Sequence, residues 1–177
     1  MTLAFAAVLL LAGPPRFLGP PEKKPQDGDP PAVAPGDDAP ALVADVRNAQ
    51  GAGVARFDLA AVVRPGSGVA AVLIGFCDGG ERCERQLRAL QDVGARDAAR
   101  GLRVVAVHTD AASIAPDVTV PVVSDPGGSI ARRYLGAALR FPSLAIVDAK
   151  GKVAVVKKGY VDDPATFVAA QVAAALP

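Results

Sequence analysis

Two largely apolar segments dominate the pattern of hydrophobic and polar positions after residue 40. They are Val69–Phe76 (VAAVLIGF), which is continuous, and Leu102–His108 (LRVVAVH), which Arg103 interrupts, and each has the length of a β-strand. A continuous apolar segment of this length is typical of a central strand that is covered on both faces. Between them, Leu87 and Leu90 lie on one helical face, whereas charged side chains such as Arg88 lie on the other. This spacing predicts an amphipathic helix between two buried strands.

Shorter apolar patterns predict the remaining elements. The turn at 148–151 is short enough to make the strands around it antiparallel, and the turn-rich residues 47–53 predict an earlier hairpin. Proline at a first-turn position in Asp163-Pro164 predicts a last helix that runs to Leu176. The other predicted strands are Ala41–Val46, Val54–Phe57, Val118–Val123, Ser143–Val147 and Val153–Lys157, and a further helix passes through Ile130, Ala131 and Tyr134. This order predicts an α/β fold: a mixed central sheet flanked by helices on both faces, with an N-terminal β-hairpin.

The first 40 residues differ in composition from the rest. Residues 3–12 (LAFAAVLLLA) are too few to span a bilayer, which takes about 20 residues, but they suit the apolar core of a signal peptide. The alternatives are an uncleaved membrane tether and a first core element. Residues 14–40 hold nine of the 16 prolines, which excludes a regular helix or a central strand. We expect a signal peptide or short apolar anchor (1–13), a Pro-rich disordered linker (14–40) and one domain (41–177). The layout indicates an exported protein that is periplasmic or anchored facing the periplasm.

Charge and composition exclude several classes of function. Lys and Arg number 19 against 18 Asp and Glu, so the chain lacks the basic excess of a nucleic-acid-binding domain. Tryptophan is absent and aromatic residues make up 5%, which disfavours stacking platforms for bases. Two cysteines and one histidine are too few for a structural zinc site. We expect no metal site and no cofactor, and the cysteines, Cys77 and Cys83, are either a redox couple or two inert thiols.

Three stretches of the sequence resemble the thioredoxin-like redoxins. They are FCDGGERCERQL at 76–87, VPVVSDPGGSIARRYLG at 120–136 and FPSLAIVDAKGKV at 141–153. This superfamily includes the AhpC/TSA (alkyl hydroperoxide reductase and thiol-specific antioxidant) domains, envelope thiol–disulfide reductases and Sco-type copper assembly proteins. The resemblance covers about residues 41–177 and implies a thioredoxin-like fold with a cis peptide bond between Phe141 and Pro142. It also implies that Phe141, Pro142 and Phe76 lie where a substrate docks.

The segment that holds the cysteines departs from the motifs of this superfamily. In a C-x-x-C motif that ends at Cys83 the first cysteine position is Gly80, and in the Sco pattern it is Gly79. The Sco pattern also requires a histidine where this chain has Phe141-Pro142-Ser143, and the peroxiredoxin pattern P-x-x-x-S/T-x-x-C is absent. The resemblance therefore implies the fold and leaves the chemistry open.

The position of the two cysteines nevertheless indicates redox chemistry. Cys77 and Cys83 follow a central strand at its carboxyl end, where α/β sheets place their sites. Asp78 and Glu81 have capping-box spacing, so either Asp78 or Gly80 is the expected N-cap of the following helix. Helix N-termini and nearby cations lower the pKa of a thiol, and Arg82 precedes Cys83. A disulfide needs Cα atoms within about 7 Å, so pairing requires a folded-back loop or an unwound first turn.

The histidine adds an auxiliary candidate. His108 ends the second central strand at the same edge of the sheet. There it is a candidate base or weak third ligand for a site that the cysteines form.

Three functions fit these observations. The first is a thiol–disulfide oxidoreductase or thiol-dependent antioxidant of the cell envelope, acting on protein or small-molecule thiols and disulfides. In it, Cys83 is the attacking thiol and Cys77 the resolving one. The second is a redox-inactive thioredoxin-fold binding module whose thiols stay reduced. The third is copper delivery, because soft thiolates suit Cu(I).

Overall fold

A mixed β-sheet forms the centre of the computed structural model, which describes residues 32–47, 55–110 and 114–176. Its strands are β1 (Val43–Arg47), β2 (Ala55–Asp58), β3 (Ala71–Cys77), β4 (Leu102–His108), β5 (Val122–Ser124), β6 (Ser143–Asp148) and β7 (Val153–Lys157). Their order across the sheet is β2-β1-β5-β4-β3-β6-β7. The three central strands β5, β4 and β3 are parallel, and the outer pairs are antiparallel. The mixed sheet and the N-terminal hairpin confirm the prediction from the sequence.

Helices cover both faces of this sheet. They are α1 (Leu59–Val62), α2 (Gly80–Asp97), α3 (Ser129–Leu135) and α4 (Pro164–Ala175), and a 3₁₀ turn follows α2. The apolar sides of α2 and α4 pack on one face, and those of α1 and α3 pack on the other. Because side chains alternate along a strand, β3 contributes Leu73 and Cys77 to the first core and Ile74 and Phe76 to the second. The predicted two-sided burial of β3 is therefore confirmed.

Close packing fixes α2 on β3. A side chain at Gly75 would overlap the side chain of Leu90, so the glycine allows the helix to lie directly on the strand. Leu87, Leu90 and Val93 of α2 are all buried, as their spacing predicts. The start of α2 is thereby held at the carboxyl end of β3.

Two elements differ from the prediction. The strand predicted at Val118–Val123 is shorter and later, Val122–Ser124, because Pro121 has no N–H to donate to a ladder. Val118 and Val120 are buried in the preceding loop, so their apolar character reports burial and not strand structure. Helix α1 was not predicted; its N-cap is Asp58, whose side chain accepts hydrogen bonds from the backbone N–H groups of Ala60 and Ala61.

Contacts with the domain begin before residue 41, within the segment predicted to be a linker. The backbone N–H of Val33 donates to the carbonyl of Tyr134, and that of Gly36 donates to the carbonyl of Val153. Asp38 pairs with Lys152 through a β-bridge and an ion pair of 2.7 Å. The prolines of this segment exclude a central strand, but the other residues can still form individual hydrogen bonds with the domain.

Residues 1–31 and the signal or anchor predicted there lie outside the described residues. Within the part of the chain that is described, no helix is long and apolar enough to cross a membrane.

Candidate active site

A disulfide joins Cys77 to Cys83, and their Cα atoms are 5.5 Å apart. Cys77 is the last residue of β3 and Cys83 lies at the end of the first turn of α2, so the link spans the junction between strand and helix. The chain folds back between them at Gly79 and Gly80, whose φ angles are +110° and +78°. Such backbone is accessible to glycine and strained for other residues. The folded-back loop that pairing requires is therefore present.

The start of α2 differs from the predicted capping box. Gly79 is the N-cap residue, and no side chain caps the helix, so Asp78 precedes the cap and does not fill it. The reason is the extended turn at Gly79, which moves the Asp78 carboxylate away from the first-turn N–H groups. Cys83 is then the fourth residue of the helix, near the positive end of its dipole.

His108 lies beside both cysteines. It is paired in register with Cys77 across β3 and β4, and its Nε2 is 3.7 Å from Sγ of Cys83. The backbone N–H of Asp110 donates to Nδ1 at 3.0 Å. Because a backbone N–H is always a donor, Nδ1 is the unprotonated ring nitrogen, and Nε2 carries the hydrogen. The side chain therefore presents an N–H donor to the sulfur of Cys83.

Burial also acts on the charge of His108, which is 1% exposed. Desolvation lowers the pKa of His108 from its ordinary value of 6.5, and the carboxylates of Asp110 and Asp78 oppose this effect only in part. The imidazole is therefore neutral at pH 7.

The start of β6 forms the neighbouring wall of the site. Ser143 pairs with Phe76 of β3, so Pro142, one residue earlier, lies at the sheet edge where β3 ends at Cys77. The peptide bond between Phe141 and Pro142 is cis. The side-chain amide of the buried Gln86 donates to the carbonyl of Ser143 at 2.8 Å, which ties α2 to this segment.

Two arginines of α2 gather around one tyrosine. The guanidinium groups of Arg82 and Arg85 lie 5.0 Å and 5.4 Å from the ring centroid of Tyr160, within cation–π range. Arg85 also forms an ion pair of 3.7 Å with Glu81. The guanidinium of Arg82 thus lies over the ring of Tyr160, whereas its place beside Cys83 in the sequence had suggested a contact with the sulfur of that residue.

The side chain of Phe76, which the sequence analysis expects where a substrate docks, faces away from the two cysteines. It is fully buried on the other face of the sheet, where its ring packs against Tyr134 with centroids 5.3 Å apart. Strand alternation explains this, because neighbouring side chains in β3 point to opposite faces. Phe141 is only partly buried and packs at the margin of that second core.

Comparisons with solved structures give the same fold at low sequence identity. A protein assigned as the thiol:disulfide interchange protein DsbE from Chlorobium tepidum is 22% identical, with a TM-score of 0.63 over 82% of this chain and 100% of that chain. The peroxidoxin BcpB from Mycobacterium tuberculosis is 16% identical, with a TM-score of 0.61 over 80% and 97%. A protein assigned as a disulfide isomerase from Bacteroides thetaiotaomicron is 18% identical, with a TM-score of 0.65 over 81% and 91%. No curated protein matches the sequence.

The sheet order, the disulfide at the start of α2 and these neighbours define a thioredoxin-like redoxin fold. Within that class, the model of the AhpC/TSA family matches residues 35–156, which is more than half of the chain. The chain therefore belongs to the AhpC/TSA family. The match begins at residue 35, in the segment whose backbone forms hydrogen bonds with the domain.

Sequence reasoning found part of this site and missed part. Cys77, Cys83, His108 and Pro142 were candidates, and the structure brings all four to one edge of the sheet. It missed Gln86 and Tyr160, which make polar and cation–π contacts with residues distant in sequence. A glutamine on the apolar side of a helix, one residue before Leu87, was a usable signal for a buried amide.

Proposed function

We propose that the protein is a thiol–disulfide oxidoreductase that cycles between the Cys77–Cys83 disulfide and the dithiol. The observation that carries the proposal is the placement of this disulfide at the junction of β3 and α2. Ligand and substrate sites of α/β sheets lie at this edge. The chain has only these two cysteines, so electrons stored in the pair leave by exchange with an external partner.

The exchange proceeds in two balanced steps. In the reduced protein the Cys83 thiolate attacks one sulfur of a substrate disulfide, which forms a mixed disulfide and releases one substrate thiolate. The Cys77 thiolate then attacks Sγ of Cys83, closes the Cys77–Cys83 disulfide and releases the second substrate thiolate. Two electrons pass from the dithiol to the substrate. An external dithiol reverses both steps and regenerates the reduced pair.

The surroundings of the two sulfurs support this assignment of roles. Cys83 lies near the helix N-terminus, and its Sγ faces Nε2 of His108. Sγ of Cys77 lies 3.8 Å from the backbone carbonyl oxygen of Cys83. A carbonyl oxygen accepts a hydrogen bond from a thiol but repels a thiolate. Cys83 is thus the sulfur that ionises first, and Cys77 attacks second.

The segment next to the cis proline supplies the docking edge of the proposed oxidoreductase. Phe141 is partly exposed beside Pro142, and we assign this segment as the edge on which a protein or small-molecule disulfide lies during exchange. Among the neighbours, the protein assigned as a thiol:disulfide interchange protein supports this substrate class.

The apolar residues 3–12 support export to the cell envelope, through a signal peptide or a membrane tether.

A redox-inactive binding module is the second candidate, now with a structural disulfide in place of the two reduced thiols expected from the sequence; the burial of the disulfide favours it. Cys77 is 0% exposed and Cys83 is 1% exposed, whereas exchange needs a sulfur that a partner can reach. In the oxidoreductase, the segment at Gly79 and Gly80 moves to expose Cys83; the space beside Gly80 is open. The two candidates therefore differ in whether external thiols reduce the disulfide of the folded protein.

Two related chemistries differ in what they require. Peroxide reduction, the thiol-dependent antioxidant role, needs the Cys83 thiolate and a peroxide in place of the substrate disulfide. Copper delivery would use the two thiolates as ligands of Cu(I), and His108 offers no third ligand, because the bond from Asp110 to Nδ1 leaves the hydrogen on Nε2. Among the described residues, no group of three or more His, Cys, Asp or Glu side chains is arranged to hold a metal ion.

Turnover of a disulfide substrate tests the proposal. The reduced protein should reduce insulin with dithiothreitol as the electron source, and Cys83→Ser should abolish that activity. Cys77→Ser should slow multiple turnover, because dithiothreitol must then resolve the mixed disulfide in place of an intramolecular thiol. Mixing the same reduced protein with hydrogen peroxide and measuring peroxide consumption distinguishes the antioxidant role from disulfide reduction. A folded protein that reduces neither substrate above the Cys83→Ser background contradicts the proposal and leaves the binding module.

A further inference from the structure

We propose that His108 is a neutral hydrogen-bond donor, with its proton held on Nε2, that stabilises the Cys83 thiolate and thereby makes Cys83 the attacking sulfur. The inference rests on the proposed function, because the thiolate exists only in the reduced state of the pair. It replaces the roles of base and of metal ligand that the sequence alone leaves open. Both of those roles need a lone pair on Nε2, and the hydrogen there excludes it.

Three hydrogen bonds from backbone N–H groups hold the imidazole and the end of β4 in place. The N–H of Asp110 donates to Nδ1 at 3.0 Å and sets the tautomer. The N–H of Asp125 donates to the carbonyl of His108 at 2.9 Å, and the N–H of Thr109 donates to the carbonyl of Cys77 at 3.0 Å. Strand β4 is thereby tied to β3 at the cysteine. The ring cannot turn away from Sγ of Cys83 without breaking the bond to Nδ1.

Burial makes this donor effective. Until the segment at Gly79 and Gly80 moves, His108 and Cys83 are each 1% exposed, so water does not compete for the sulfur. A hydrogen bond to a charged group in such surroundings raises the thiolate fraction roughly tenfold or more. The carboxylates that face the ring, Asp78 and Asp110, favour the imidazolium, but burial lowers the pKa of His108 and keeps it neutral. A neutral ring keeps its Nε2–H in the pH range where the thiol ionises.

The two sulfurs therefore stand in opposite electrostatic environments. Sγ of Cys83 faces an N–H donor at 3.7 Å, and Sγ of Cys77 faces a carbonyl oxygen at 3.8 Å. The first arrangement stabilises a thiolate and the second stabilises a protonated thiol. His108 is in this sense a catalytic residue that touches a reacting atom and selects which cysteine attacks.

Nitrogen NMR of the reduced protein tests the tautomer directly, because the chain has a single histidine. We expect one ring nitrogen, Nδ1, to remain unprotonated and Nε2 to remain protonated while the Cys83 thiol ionises. A proton on Nδ1 at neutral pH, or an imidazolium that appears together with the thiolate, overturns the proposal. This measurement uses the native sequence and does not depend on whether any variant folds.

Single-thiol variants test the effect on the sulfur. In Cys77→Ser, alkylation of Cys83 by iodoacetamide at pH 7 should slow roughly tenfold when His108→Phe is added. His108→Gln, whose amide retains an N–H donor, should restore most of the rate. The matched control is Cys83→Ser, in which the remaining Cys77 should react at the same rate with and without His108→Phe. Equal rates for Cys83 with and without His108→Phe overturn the proposal.

These readouts separate the inference from the function on which it rests. A protein with the predicted tautomer and alkylation rates that reduces no disulfide contradicts the oxidoreductase and leaves the role of His108 intact. A protein that turns over insulin equally well with His108 and with His108→Phe contradicts the role of His108 alone.

Discussion

The side-chain amide of Gln86 donates a 2.8 Å hydrogen bond to the backbone carbonyl of Ser143. Both residues are buried. One belongs to the helix that carries Cys83 and the other follows Pro142, so this single bond ties the two walls of the site together.

Removal of this bond should destabilise the fold. Gln86→Leu keeps a similar volume but leaves the buried carbonyl of Ser143 without its side-chain donor, which should cost about 1–3 kcal/mol of unfolding free energy. Urea denaturation measures the difference. Asp92→Ala, at an exposed position on the same helix, is the matched control and should stay within about 0.5 kcal/mol of the parent. Equal midpoints for the parent and Gln86→Leu would show that the bond contributes nothing.

The cap of α3 gives a second prediction. The buried carboxylate of Asp125 accepts hydrogen bonds from the hydroxyl of Ser129 and from the backbone N–H groups of Ile130 and Ala131. Asp125→Ala leaves these donors unpaired and should cost about 1–3 kcal/mol. Asp125→Asn keeps one acceptor oxygen and should lose less. The free energy of unfolding should therefore decrease from the parent to Asp125→Asn and further to Asp125→Ala. Any other order contradicts this role of Asp125.

The contacts made before residue 41 predict the effect of truncation. A chain that starts at residue 41 loses the backbone hydrogen bonds of Val33 and Gly36 and the ion pair of Asp38 with Lys152. A chain that starts at residue 32 keeps them. The shorter chain should therefore melt at a lower temperature, since each lost hydrogen bond costs about 0.5–1.5 kcal/mol. Identical melting temperatures would show that these contacts do not stabilise the domain.

His108 predicts how stability depends on pH. Its pKa is lowered in the fold by burial, so the unfolded chain binds a proton more readily. The stability is present in full above about pH 6.5 and falls as the pH decreases towards the lower pKa of the native state. His108→Gln removes this dependence. Free energies of unfolding at about pH 8 and pH 5.5 should differ less in His108→Gln than in the parent; an equal difference would contradict the burial of a neutral imidazole.

Most strands and helices of this protein could be predicted from the sequence because burial leaves a local pattern of apolar residues. Two largely apolar segments marked β3 and β4, and Asp163-Pro164 marked the start of α4. The loop around Val118 and Val120 has the same apolar pattern without strand structure, so the pattern alone misplaced β5.

The site was less predictable, since its contacts join residues that are distant along the chain. The cysteines and His108 could be found because each lies at or just after the end of a predicted strand. The tautomer that Asp110 sets and the hydrogen bond from Gln86 left no such signal in the sequence. Phe76 adjoins Cys77 in sequence and lies on the opposite face in space. Side-chain alternation along β3 predicts that separation.

The mass of the non-reduced protein tests the central claim most directly, namely that Cys77 and Cys83 form a reversible redox couple. After reduction and exposure to a small disulfide oxidant, the folded chain should become lighter by two hydrogen atoms, and excess dithiol should restore the original mass. With a peptide disulfide, Cys77→Ser should gain the mass of one peptide thiol through Cys83, and Cys83→Ser should gain little. A two-thiol mass that persists in the oxidant, or a disulfide that no thiol reduces in the folded protein, would contradict the account.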